Sequence, residues 1–264
     1  MSTELRDYKG ELAACILGFS VGLPWLFSYS YSLGYDLPLW IYNGWFIKSS
    51  LLEGSWPNWS FLSASGQPFF KISGLSDGVL LALLMRLCGI FTAVQVAMCL
   101  LYVVAAVGFY RLTFAIRPWR PGALVASGAY ILSWFISFTV NFQAYISNFF
   151  VYALAPFFVY YFLQLTDPGR IRCALWAALI LALAILSNPQ VAIKVVAIAL
   201  VVTVPFLKQK NIRYFFGAAF LTGIIALSLT AFDVVSALRL RAEVISANER
   251  INGYISPFSL ITIP

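Results

Sequence analysis

The sequence predicts an all-α, polytopic membrane protein, and three observations carry that prediction. Of 264 residues, 61% are hydrophobic and only 10% are charged. Mean hydropathy is +0.87. Apolar runs of membrane-crossing length recur along nearly the whole chain, and so little polar surface cannot cover a soluble domain.

Taken in order, the runs of about 17 to 25 apolar residues that a bilayer requires fall at 12–31, 94–112, 123–140, 149–165, 173–186, 191–207 and 215–237. This gives about seven transmembrane helices. The run at 173–186 is short and can borrow Ile171 or Ser187, while an eighth stretch, 78–90, is too short to cross comfortably. The first run follows a short charged segment with Arg6 and Lys9 but is long and lacks a small-x-small cleavage site, so it reads as an anchor. Pro24, Pro156 and Pro205 fall within spans, where they kink helices without implying chemistry.

Basic residues set the orientation. Arg111, Arg117 and Arg120 form one loop, Arg170 and Arg172 a second, and Lys208, Lys210 and Arg213 a third, whereas 141–148 and 187–190 contain no Lys or Arg. With 78–90 lying in the interface instead of crossing, the N-terminus and every basic loop share the cytoplasmic side. Segments 34–93, 141–148, 187–190 and the tail after 237 then face outward, as in a multi-pass protein of the plasma membrane. The net charge of +7 is accounted for by these loops and the anionic headgroups they meet, so nucleic acid is not an expected partner.

The first external segment, 34–93, is predicted to hold two interfacial helices. Asp36-Leu37-Pro38 has the pattern of a helix start, with an acid as cap and proline in the first turn, followed by Trp40, Ile41, Tyr42, Trp45, Phe46 and Ile47. Breaker clusters at 54–58 and 65–68 end that helix, and Asp77-Gly78 opens the second, with Asp77 as its cap.

Several kinds of chemistry are excluded. The chain has no histidine, which removes the usual neutral-pH base, the commonest zinc ligand and every Ser-His or Cys-His pair. Cys15, Cys88, Cys99 and Cys173 have none of the paired spacings of metal sites or disulfide frameworks and read as packing residues. Acid-base work is left to carboxylates.

In the order and spacing of Gly34-Tyr-Asp36, Glu53-Gly-Ser-Trp-Pro-Asn-Trp59, Gly66-Gln-Pro68, Arg86-Leu-Cys-Gly89 and Leu186-Ser-Asn-Pro-Gln190, the chain resembles the type C glycosyltransferases (the GT-C superfamily), in particular their poorly characterised prokaryotic branch. The resemblance spans nearly the whole chain. It implies a seven-span module over 1–237, a large first external loop, and transfer of a sugar from a polyprenyl-phosphate carrier with inversion, Asp36 being the position that matches the family's catalytic base. Many relatives carry a histidine where Asn188 stands, and oligosaccharyltransferase-like members have acids where 141–148 has none. A metal-independent, single-carboxylate reaction is therefore expected, with no cofactor.

Such a reaction needs a base for the acceptor hydroxyl and cations for the departing phosphate. Asp36 is the candidate base. Lys194, Arg239, Arg241 and Lys71 are the candidate phosphate ligands, and Asn188, Gln190, Asp233, Tyr35 and Trp59 are candidates to contact substrate. Each has a plainer reading: Lys194 snorkels to headgroups, Asp233 pairs with Arg239, and Tyr35 and Trp59 anchor in the interface. Expected partners are a polyprenyl-phosphate-linked sugar, membrane lipids and a glycan, lipid or protein acceptor. Residues 238–264 read as the start of a further external loop, consistent with a truncated chain or one completed by a partner subunit. Two other classes stay open: a noncatalytic scaffold of an envelope complex, and a small transporter, although nearly all mid-span positions are apolar.

Overall fold

The computed structural model describes residues 7–27, 37–55, 59–60, 67–68, 74–133, 136 and 146–231. Its helices are α1 (Tyr8–Phe27), α2 (Leu37–Leu52), α3 (Leu75–Cys88), α4 (Ile90–Ile116), α5 (Arg120–Ile131), α6 (Ile146–Gln164), α7 (Ile171–Ser187), α8 (Pro189–Thr203) and α9 (212–231). Between α2 and α3 the described strand pairing is a two-residue antiparallel ladder, Trp59–Ser60 with Gln67–Pro68. Five helical segments are long and apolar enough to span a bilayer: Tyr8–Phe27, Ile90–Ile116, Ile146–Gln164, Pro189–Phe206 and Gln209–Ala231. With the shorter apolar Ile171–Ser187 beside them, the chain is an all-α polytopic membrane protein. The expected run at 123–140 begins as α5, and most of its remainder lies outside the described residues.

The directions of the helices follow from their contacts. A Cβ added at Gly10 would meet Tyr110, at Gly18 the backbone of Tyr102 and Val103, and at Gly22 the Cα of Cys99, so α1 runs antiparallel to α4. Gly10, Ala14, Gly18 and Gly22 are the buried residues of α1, one every four positions. This row of small side chains lets the two backbones approach closely, which is how helices associate in lipid. The Tyr102 and Phe149 rings lie 4.9 Å apart, and Gly108 abuts Phe157, so α4 and α6 run in the same direction. Helix α7 returns antiparallel to α6, with Trp176 against Tyr161 and Ser187 beside Ser147.

All three basic loops therefore share an end with the N-terminus. Arg120 pairs with Asp7 at 2.7 Å and Arg111 with Glu11 at 2.7 Å. At the same end the Asn211 amide donates to the Thr166 carbonyl, which ties the loop after α6 to the one before α9.

Helix α3 does not cross the bundle. Its first turn lies against Ser147 at the start of α6 and Ser187 at the end of α7. It then leads through Gly89, at φ 81°, into the start of α4 at the same end. The structure corrects two details of the sequence reading. The helix starts at Leu75, not at Asp77-Gly78, and its cap is Gly74, in the left-handed region at φ 107°. The following span begins at Ile90 rather than at 94, because the apolar pattern continues across Gly89 without a break except in backbone direction.

Candidate functional site

At the end of the bundle opposite the basic loops, one buried acid gathers four elements. Asp77, the third residue of α3, is fully buried. The Ser187 hydroxyl donates to its Oδ1 at 2.8 Å and the Ser147 hydroxyl to its Oδ2 at 2.8 Å. Ser187 also lies 3.1 Å from the Ser147 carbonyl, and the Ser76 hydroxyl donates to the Leu183 carbonyl at 2.7 Å. These bonds fasten the start of α3 to both α6 and α7. Asp77 is thus not the N-cap, which is Gly74: its carboxyl is turned into the bundle, where a side chain in the first turn between two packed helix ends finds serine hydroxyls in place of solvent.

Two residues of α2 complete the cluster. Trp40 and Asn43 are each 3% exposed, and among the described residues the Trp40 indole N–H and the Asn43 Oδ1 have no hydrogen-bond partner. The Trp40 N–H faces the Asp77 carboxyl and acts on it weakly, short of proper hydrogen-bond geometry. The Asn43 amide borders Gly74: a Cβ there would stand 3.4 Å from Asn43 Nδ2, 3.3 Å from Ser147 Oγ and 3.6 Å from Asp77 Oδ2. Glycine is required at this point by its backbone angle, φ 107°.

Burial raises the pKa of Asp77 above the ordinary 3.8, against the bonds from Ser187 and Ser147, which favour the ionised form. Its place in the first turn of α3 also favours the ion through the helix dipole. Desolvation is the largest of these effects, and among the described residues no cation stands with the strongest influences on the carboxyl.

Next to this cluster the Asn188 Nδ2 donates to Asn148 Oδ1 at 2.6 Å, and Asn188 Oδ1 accepts from the backbone N–H of Gln190 and Val191. Asn188 is the N-cap of α8, with Pro189 in the first turn. Ser147-Asn148 and Ser187-Asn188 thus form two matched dipeptides. Their serines meet on Asp77 and their asparagines meet each other. The sequence reading singled out 187–190 but missed Ser147 and Asp77's inward role, although the repeated Ser-Asn at the ends of α6 and α7 was a visible signal.

Of the other sequence-predicted site residues, Gln190 and Lys194 are exposed near the start of α8. Trp59 stands in the short ladder. Asp36, Tyr35, Lys71, Asp233, Arg239 and Arg241 lie outside the described residues. Among the described residues no group of three or more His, Cys, Asp or Glu is arranged to hold a metal ion. The four cysteines are free thiols. No protein-family model matches the chain, and no curated protein or solved structure matches it at a significant level.

Proposed function

We propose that this chain is the membrane module of a glycosyltransferase that moves a sugar from a polyprenyl-phosphate donor to an acceptor at the extracytoplasmic surface, with the N-terminus cytoplasmic. The observation that supports it best is the pairing of α2 and α3 around the segment 53–74, seated at the end of the bundle away from the basic loops. Basic loops mark the cytoplasmic side, so this hairpin faces outward. Two helices flanking an outward loop is the arrangement that the resemblance to type C glycosyltransferases implies.

In this reading Asp36, which immediately precedes α2 in sequence, takes the proton from the acceptor hydroxyl as that oxygen attacks the anomeric carbon. The bond to the carrier phosphate breaks on the opposite face, the configuration inverts, and the electron pair leaves with the phosphate. Lys194, exposed on α8 near the same end, is a cation available to that phosphate. Transfer of labelled hexose or pentose from synthetic polyprenyl-phosphate donors tests the proposal. Asp36→Asn is expected to lower the rate by roughly 10²- to 10⁴-fold with folding retained. Unchanged transfer in that variant, or no transfer by the unaltered protein from any donor, removes this reading.

One observation favours a second reading, a noncatalytic scaffold: Asn188 spends its hydrogen-bonding capacity inside the fold, on Asn148 and on capping α8. An inactive protein that still folds and co-purifies with an envelope complex is what the scaffold predicts.

A further inference from the structure

A proline inside a membrane helix leaves a backbone carbonyl without its usual donor, because the ring nitrogen has no hydrogen for the carbonyl four residues earlier and lipid offers no replacement. Pro156 is buried in the middle of α6, a helix long and apolar enough to span the bilayer. The carbonyl it deprives is that of Tyr152. Helix α5 supplies what is missing: the Tyr130 hydroxyl donates to the Tyr152 carbonyl at 2.7 Å. The Tyr130 ring is held for this by stacking on Phe109 of α4, with centroids 4.4 Å apart and 12° between the planes. Gly108, its neighbour on α4, leaves room for the proline turn, since a Cβ there would stand 3.3 Å from Pro156 Cβ and 2.7 Å from the Phe157 ring.

A second bond from α5 shows how this one differs. The Ser127 hydroxyl donates to the Ala106 carbonyl at 2.7 Å, but four residues after Ala106 stands Tyr110, inside α4 and with its backbone N–H intact. Ser127 adds a bond to a carbonyl that the helix already serves, whereas Tyr130 replaces one that the helix cannot make. The place of Pro156 gives that replacement its consequence. Before the proline, Ile146, Phe149, Phe150 and Ala153 pack into the core shared with α3 and α4, and this core takes nothing from α6 after it. After the proline, Phe158, Val159, Phe162 and Leu163 pack into the core shared with α7, α8 and α9. The part before the proline also carries Ser147 and Asn148, which bond Asp77 of α3 and Asn188.

We propose that Tyr130 is a positioning residue: its hydroxyl stands in for the amide that Pro156 lacks, and the bond locks a hinge in α6 on which the outward α2–α3 hairpin hangs. With the bond made, the first half of α6 is fixed to α5 across the break in its own ladder. Without it, the Tyr152 carbonyl loses that donor in hydrocarbon beside a proline, the usual place for a helix to bend. Ser147, Asn148 and the hairpin then move with the freed half. This inference is independent of sugar transfer, since it concerns how the outward hairpin is held and not what passes over it.

The test uses the full chain in lipid nanodiscs and reads hydrogen exchange helix by helix. Tyr130→Phe keeps the ring and its stack on Phe109 and removes only the donor. Exchange is expected to accelerate about three- to tenfold in the first half of α6 and in α2 and α3, the range of one hydrogen bond between membrane helices, and to stay unchanged in α7 to α9. Pro156→Ala returns an amide to the Tyr152 carbonyl, so adding Tyr130→Phe to that variant is expected to change exchange by about twofold at most. Should Pro156→Ala not fold, Ser127→Ala serves as the contrast: its acceptor keeps the helical donor, and exchange in α2 and α3 is expected to stay as in the unaltered protein. Equal acceleration by Tyr130→Phe with and without Pro156 overturns the proposal. So does Tyr130→Phe leaving α2 and α3 unchanged, or Ser127→Ala accelerating them as much as Tyr130→Phe does.

Discussion

The two ends of this bundle treat the same functional group in opposite ways. At the basic end Asp7 receives Nε and Nη2 of Arg120, each at 2.7 Å, the Tyr110 hydroxyl at 2.7 Å and the Gly10 N–H. The Arg120 guanidinium above all holds its carboxyl far below the usual carboxylate range. Glu11 beside it takes two bonds from Arg111. At the far end Asp77 meets neutral donors and burial, and its pKa moves up. Asp7 is paired with a guanidinium that is half exposed, so water and salt reach that end. The contrast is between an acid held ionised by a cation near the surface and an acid whose ionisation burial opposes and neutral hydroxyl donors favour.

The largest expected break in this contrast is Asp77→Leu. The Ser147 hydroxyl loses its Asp77 acceptor and the Ser187 hydroxyl is left with the Ser147 carbonyl at 3.1 Å; at roughly 1–3 kcal/mol for an unsatisfied group and about 1–3 kcal/mol for overpacking a branched side chain into the site, the loss should reach several kcal/mol. Thermal unfolding in nanodiscs checks it, and Asp77→Asn should recover most of the loss. Between the two ends, Gly18→Leu should cost about 1–3 kcal/mol or more by overpacking, since its Cβ would lie 2.7 Å from the Tyr102 carbonyl oxygen and 2.7 Å from the Val103 Cα. Backbone cannot yield there as a side chain could, so α1 should detach from α4, which cysteine cross-linking between the two helices would report. Arg120→Gln at the basic end should have a smaller, salt-sensitive effect, because the Arg120 guanidinium is half exposed and screened. The smallest is Gly217→Ala, where a Cβ meets nothing within 4 Å and the unfolding midpoint should rise slightly, since alanine in a helix interior is favoured over glycine by roughly 0.5–1 kcal/mol.

Much of this contrast was beyond the reach of the sequence, for reasons the residues make plain. The spans were legible because lipid demands long apolar helices, so the run at 149–165 reappears as Ile146–Gln164 and the short one at 173–186 as Ile171–Ser187 with the neighbours it was expected to borrow. The basic loops were legible too, and their common end agrees with an α3 that starts and finishes on one side. Asp77 was misjudged as a cap because its partners lie 70 and 110 positions away, and no local pattern records such a contact. The row Gly10, Ala14, Gly18, Gly22 was there to be read as the packing face of α1. Its small residues were hidden inside a run scored only for hydropathy.

The pH dependence of unfolding tests the contrast most directly, measured in nanodiscs at fixed ionic strength for the unaltered protein, Asp7→Asn and Asp77→Asn. A folded-state value below the ordinary 3.8 makes Asp7 contribute stability above that pH and lose it as pH falls. A raised value makes the folded protein hold a proton on Asp77 that the unfolded chain releases above pH 3.8, so stability declines as pH rises through that window. Asp7→Asn is expected to flatten the acid side of the profile and Asp77→Asn the side above it. A profile in which Asp77→Asn keeps the decline of the unaltered protein, or loses it on the acid side as Asp7→Asn does, would contradict it.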